Sequence, residues 1–198
     1  MSALREPRPK WAEDAYLDFE ATSELRHEFI GGDVIAMAGA SRNHNLIVVR
    51  AGARLEIQLE KRPCEVYSND MRVRMGKDYV YPDIVVVCGK PDIVDDRGDT
   101  LLNPTIIIEV LSPSTEAQDR GEKSWQYRAL DSLQAYLLIA QDRMHIEHYH
   151  REIDKTWKVM DITDADAVID IPSIGCTLNV ADIYEKVTFD PLDEDEPT

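Results

Sequence analysis

Tyr79-Val80-Tyr81-Pro82-Asp83-Ile84-Val85-Val86-Val87 and Thr105-Ile106-Ile107-Ile108-Glu109-Val110 decide how this chain is read. A continuous β-branched run bounded by proline reads as a buried strand. Each of these two runs carries one acid. Burying an ionised carboxylate is costly unless a cation or strong donors compensate it. Two such strands can converge on a divalent cation, a common basis of phosphodiester hydrolysis. The alternative is that each acid marks a strand end and faces solvent.

Outward from these runs, residues 12–21 read as a short amphipathic helix. Arg26 to Ile30 and Asp33 to Met37 flank Gly31-Gly32, a two-residue hairpin signal. Ser41-Arg42-Asn43-His44 opens a helix to about Lys61, stopped by Pro63, with Leu46, Val49, Ala53, Ile57, Leu55 and Leu59 as its apolar face. Strands are expected at about 65–69, 71–75, 79–88 and 105–111, with a polar loop from Lys90 to Asp99. After Ser112-Pro113-Ser114-Thr115 a helix of about 116–130 follows, with Thr115 and Gln118 as a capping box. Leu133 to Ala140 is a further buried strand. A hairpin at Met144–His150 and Thr156–Ile162, then a short helix near Val180–Lys186, complete the order. It predicts an α/β fold (α+β), a mixed sheet flanked by helices. Residues 1–189 read as a single domain and 190–198 as a disordered acidic tail.

The net charge of −16 opposes a broad, tight grip on duplex nucleic acid. The five tail acids explain part of it, and about −11 stays without them. No apolar run is long enough to span a membrane, and the charged, proline-broken start has no signal-peptide core. Cys64, Cys88 and Cys176 form no zinc pattern and suit packed thiols in a reducing cytoplasm. There is no P-loop, dinucleotide fingerprint or GxSxG, so no nucleotide cofactor is expected.

Asp119, Lys123 and Tyr127 fall at i, i+4 and i+8 and share one helix face. Lys123 can thereby lie over the carboxylate pair and stabilise charge on a phosphate, or form a surface ion pair with Asp119. Glu28, beside the Gly-Gly turn, is a third candidate acid or a solvent-facing strand residue. His44 stands in the first turn of the long helix, where it can meet a phosphate or Glu28, or simply lie at the surface. Among His145, His148 and His150 the last two share a strand face while His145 points away, so a structural metal is not expected there.

The strings Arg26-His27-Glu28-Phe29-Ile30-Gly31-Gly32-Asp33-Val34-Ile35-Ala36-Met37, Tyr81-Pro82-Asp83-Ile84-Val85-Val86-Val87 and Ile107-Ile108-Glu109-Val110-Leu111-Ser112-Pro113-Ser114-Thr115 appear in order, followed by Asp119-Arg120-Gly121-Glu122-Lys123 and Ser132 to Asp142. Together they closely resemble the Uma-type restriction endonuclease family of the PD-(D/E)xK nuclease superfamily, over about residues 12–185. The resemblance implies a restriction-endonuclease-like core with Mg²⁺ or Mn²⁺ at Asp83 and Glu109. It adds the Val110 backbone carbonyl and Glu28 to the metal set, and Lys123, Glu28 and His44 to the catalytic set. Leu111 stands where the superfamily has lysine, which assigns that role to Lys123 from the next helix. The implied function is metal-dependent endonuclease action on nucleic acid, DNA first. The acidic charge adds the expectation of a homodimer that pools Arg42, Arg50, Arg54, Arg72, Arg74 and Lys77, and the cysteines that of a cytoplasmic location. The alternatives are a non-catalytic binding or assembly protein that keeps the fold, or a hydrolase of a small phosphodiester.

Overall fold

Gly31 and Gly32 take φ of +56° and +86°, values a tight hairpin turn needs and glycine adopts without steric cost. They join β1 (His27–Ile30) to β2 (Asp33–Ala36) in the computed structural model, which describes residues 9–94 and 98–189. The expected tail at 190–198 lies outside the described residues. Helix α1 (Glu13–Thr22) stacks Tyr16 on Phe29 of this hairpin, ring centroids 4.8 Å apart.

The run expected as one strand over 79–88 is two. Asp78–Val80 forms β5 and Ile84–Cys88 forms β6, and they belong to different sheets. Pro82 explains the break: it offers no amide to a ladder and restricts Tyr81 before it. The chain therefore crosses between sheets at 81–83 and leaves Asp83 at the mouth of β6.

The remaining strands are β3 (Cys64–Ser68), β4 (Arg72–Met75), β7 (Thr100–Leu101), β8 (Ile106–Leu111), β9 (Ala135–Ala140), β10 (Ile146–Arg151), β11 (Trp157–Ile162), β12 (Val168–Ile171) and β13 (Cys176–Asn179). The main sheet has the order β11-β10-β9-β8-β6-β3, with β8 and β9 parallel. A second sheet has the order β2-β1-β5-β4-β7, and β12 pairs with β13 alone. Sequence reading did not anticipate β7, β12 or β13. The mixed architecture flanked by helices is as expected, divided between sheets by the break at Pro82.

Alternation sorts the main sheet's two faces. Ile84, Val86, Ile106, Ile108, Leu137 and Ile139 pack under α2 (Arg42–Leu59) and the β12–β13 pair. Val85, Val87, Ile107, Leu111, Tyr136 and Leu138 face the second sheet. Burying each such side chain contributes about 1.5–3 kcal/mol, so these two clusters hold the strands together. Asp83 and Glu109 have the parity of the second set.

Ser41 caps α2, its Oγ accepting from the His44 amide at 3.0 Å. The buried face of α2 is Ile47, Val48, Ala51, Gly52, Leu55 and Leu59. Of the expected face, Val49 and Ile57 are 68% and 69% exposed. The helix carries two overlapping apolar stripes, and contact with the sheet selects the one that starts at Ile47.

The helix expected over 116–130 is α3 (Glu116–Gln118), a turn (Asp119–Lys123) kinked at Gly121, whose φ −98°, ψ −106° are not helical, and α4 (Ser124–Ala129). The expected capping box is absent; the Thr115 hydroxyl pairs with Ser112 Oγ at 3.0 Å. Helix α5 (Val180–Ile183) closes the order. Cys64 and Cys88, expected as free thiols, stand opposite each other in the β3–β6 register and form a disulfide, while Cys176 is free and buried. The cysteines therefore give no support to a reducing compartment.

Candidate metal centre

The β6–β8 register pairs Ile84 with Ile108, so Asp83 stands opposite Glu109 where the pairing ends. Asp83 N–H donates to Glu109 Oε2 at 3.3 Å, and Val110 N–H donates to Asp83 Oδ2 at 2.7 Å. His44 Nε2 lies 2.9 Å from Asp83 Oδ1, delivered by the capped first turn of α2. On the other side, Tyr127 donates to Glu109 Oε1 at 2.8 Å. Lys123 Nζ stands 3.1 Å from that oxygen, 2.9 Å from Glu28 Oε1 and 3.0 Å from Asp119 Oδ1.

Local structure accounts for this convergence. The chain kinks at Gly121, and on its two sides Asp119 and Lys123 turn toward each other, with Lys123 Nζ between Asp119 Oδ1 and Glu109 Oε1. Tyr136 anchors the turn by donating to the Asp119 carbonyl at 3.1 Å. Glu28 is fixed by the Tyr81 amide at 3.3 Å. Leu111, at the superfamily's lysine position, is buried in the core beside Tyr127. The structure thus brings Glu28, His44, Asp83, Glu109, Val110 and Lys123 to one end of the sheet. Tyr81 and Tyr136 were not singled out by sequence reasoning, because their roles depend on which face each tyrosine presents.

Electrostatics decide what the site lacks. Glu28, Glu109 and Asp119 surround one ammonium, with Asp83 beside Glu109, and Glu109 and Lys123 are each 4% exposed. Burial pushes the Glu109 carboxyl well above the usual range; Asp119, Asp83 and Glu28 add to the rise while Lys123 opposes it. Burial alone would pull Lys123 down, but Glu109, Glu28 and Asp119 outweigh it and hold the ammonium firmly charged. The site therefore gathers more buried carboxylate oxygens than one ammonium can neutralise, a donor set that suits Mg²⁺ or Mn²⁺.

These acids do not close on one point. Among the described residues, the group of three that draws its ligand atoms within 4.8 Å of one another is His145, Glu147 and Asp161. There Glu147 is already paired with Arg120 and accepts from the Tyr149 hydroxyl, and His145 Nε2 is 3.0 Å from Asp161. Mg²⁺ commonly takes only one or two carboxylates and keeps several waters, so the Asp83–Glu109 pair still fits it.

The pair opens into a groove of about 1150 Å³. Its walls include the neutral polar residues Asn43, Asn45, Asn69, Ser112 and Thr115, and the basic Arg42. Four of the six basic residues expected to supply a nucleic-acid surface are engaged in ion pairs. Arg50 pairs with Glu185, Arg54 with Asp182, Arg72 with Asp99 and Arg74 with Glu13. Among the described residues, no helix is long and apolar enough to cross a membrane.

The family model Uma2, described as "Putative restriction endonuclease", matches residues 13–181. The Synechocystis sp. "Uncharacterized protein slr1290" is 34% identical over 185 residues, covering 92% of this chain and 96% of its own. A second, "Uncharacterized protein sll1609" of the same organism, is 34% identical over 157 residues, 78% of this chain and 89% of its own. In fold, the chain is similar to the crystal structure of a "putative nuclease belonging to DUF820" from Anabaena variabilis, with a TM-score of 0.75 and 18% identity. That likeness covers 91% of this chain and 100% of the other.

Proposed function

The chain belongs to the Uma2 family, and on that premise we propose that it is a divalent-metal-dependent endonuclease hydrolysing phosphodiester bonds, with DNA as substrate. The observation that carries the reading is Lys123. Its ammonium lies 3.1 Å from Glu109 although the motif position after that acid is the buried Leu111. A second element thus delivers a cation beside the paired acids, as the reaction needs.

Asp83 and Glu109 would hold the metal, with Glu28 contributing directly or through water. The Val110 carbonyl joins them because a ladder residue turns its N–H and C=O toward the same neighbour, and the Val110 N–H is directed at Asp83. Bound Mg²⁺ or Mn²⁺ supplies a water of lowered pKa and offsets charge growing on the phosphate. His44 and the Val110 amide orient Asp83, and Tyr127 orients Glu109. Lys123 neutralises charge on the phosphoryl oxygens and positions the attacking water. Residues 1–189 act as one domain in this reading. A homodimer would set two such sites against opposite strands.

The engaged arginines favour a second reading, a small phosphodiester substrate that needs little basic surface. A cleavage panel of plasmid, single-stranded DNA, RNA and a cyclic dinucleotide with Mg²⁺ or Mn²⁺, beside Asp83→Ala, decides between them. Metal-dependent DNA cleavage lost in Asp83→Ala is expected. Cleavage of the dinucleotide alone would select the second reading, and no cleavage at all would leave a non-catalytic binding role. Light scattering giving a monomer would remove the dimer.

A further inference from the structure

His148 and His150 lie on the opposite face of the main sheet from Asp83 and Glu109. The register sets His148 against Leu137 and His150 against Ala135, so both rings join the face that packs under β12–β13. Most of that face is aliphatic. His148 is 1% exposed, and neither of its ring nitrogens has a hydrogen-bond partner. His150 Nδ1 is also buried without one. The two rings line a cavity of about 220 Å³, roofed by Ile171, Pro172 and Ser173.

A buried polar nitrogen without a partner costs about 1–3 kcal/mol, and three at one cavity point to a ligand. The available atoms decide its class. His150 Nε2 is 3.0 Å from Glu152 Oε1, which places the proton on Nε2 and leaves a lone pair on Nδ1. A carboxylate behind an imidazole is the arrangement that orients histidine ligands in metal sites. The ring centroids of His148 and His150 are 5.2 Å apart. Two imidazoles bound to one tetrahedral cation through nitrogens at about 2.0–2.1 Å place their centroids roughly 5 Å apart.

We propose that His148 and His150 together bind one borderline-soft transition-metal cation such as Zn²⁺, with Glu152 positioning the His150 ring. The cavity leaves room for water to complete the coordination. Oxygen-preferring Mg²⁺ has no reason to bind here, so the site is chemically distinct from the carboxylate pair.

Long-range proton–nitrogen NMR of the histidine rings in the wild-type chain reads this directly. One equivalent of Zn²⁺ should move the His148 and His150 ring nitrogens together, Mg²⁺ should not, and Asp83→Ala should keep the Zn²⁺ response. Glu152→Gln, a change at an exposed residue, should weaken Zn²⁺ binding by about 10- to 100-fold while the fold is retained. Unmoved His148 and His150 signals would overturn the proposal. So would a response confined to His145, which would place zinc with Glu147 and Asp161, and so would wild-type affinity in Glu152→Gln.

Discussion

Tyr127 donates its hydroxyl to Glu109 Oε1 at 2.8 Å from a helix that begins only after β8 has ended. The phenol is completely buried, and the hydroxyl and Lys123 Nζ meet the same oxygen. Tyr127→Phe keeps the ring packing and removes one donor to a buried carboxyl. Leaving a buried acceptor without one of its donors costs about 1–3 kcal/mol, so the unfolding midpoint in urea should fall accordingly. The Mn²⁺ concentration needed for half-maximal stabilisation should rise, because Glu109 loses its orientation. An unchanged midpoint and an unchanged Mn²⁺ requirement would remove Tyr127 from the site.

The metal prediction follows from charge excess. Ligand that binds only the folded chain stabilises it by mass action, about 2.7 kcal/mol at a hundredfold excess over Kd. Mn²⁺ should therefore raise the melting temperature of the wild type, and Asp83→Ala and Glu109→Ala should lose that increment. Without metal, relief of the Asp83–Glu109 repulsion opposes the loss of the bonds that Val110, Tyr127 and Lys123 make to these acids, so the metal-dependent increment is the readout. Calorimetric melts with chelator and with millimolar Mn²⁺ provide the comparison, and a wild type indifferent to Mn²⁺ would count against the centre.

Lys123 offsets three buried carboxylates. Lys123→Met leaves Glu28, Glu109 and Asp119 facing one another, and breaking a buried pair costs about 3–5 kcal/mol. Cleavage should disappear. Mn²⁺ should stabilise this variant more than it stabilises the wild type, because an added cation replaces the missing charge. A variant as stable as the wild type would mean that the ammonium is not needed to hold these acids together.

The sequence revealed the parts of this site carried by composition and local pattern. Two acids in apolar runs, a Gly-Gly hairpin and an i, i+4, i+8 face are all local signals. Glu28, His44, Asp83, Glu109 and Lys123 could therefore be singled out, and the structure gathers them. What stayed hidden depends on pairing between distant segments. The Cys64–Cys88 bond needs the β3–β6 register, and the split of 79–88 needs a second sheet to receive β5. The kink at Gly121 is likewise a matter of tertiary contact, with Tyr136 holding the Asp119 carbonyl. The engaged arginines were invisible for the same reason: Arg50 and Glu185 are far apart in the chain.

Acid stability offers the last prediction and concerns His148. Burial, with His150 adding to the effect, lowers its pKa from 6.5 to about 4. The unfolded chain therefore takes up this proton near pH 6.5 and the folded chain only near pH 4. Its contribution is full above pH 6.5 and is lost as pH falls toward 4, because protons then favour the unfolded state. The whole difference is worth roughly 3 kcal/mol. Urea unfolding in chelator, repeated between pH 7.5 and 4.5, should show stability falling by up to about 1.4 kcal/mol per pH unit from this group. His148→Leu fills the same apolar face without a titrating group and should flatten that slope by one proton. If wild type and His148→Leu lose stability in parallel as the solution is acidified, His148 is protonated as readily in the folded protein as in the unfolded chain.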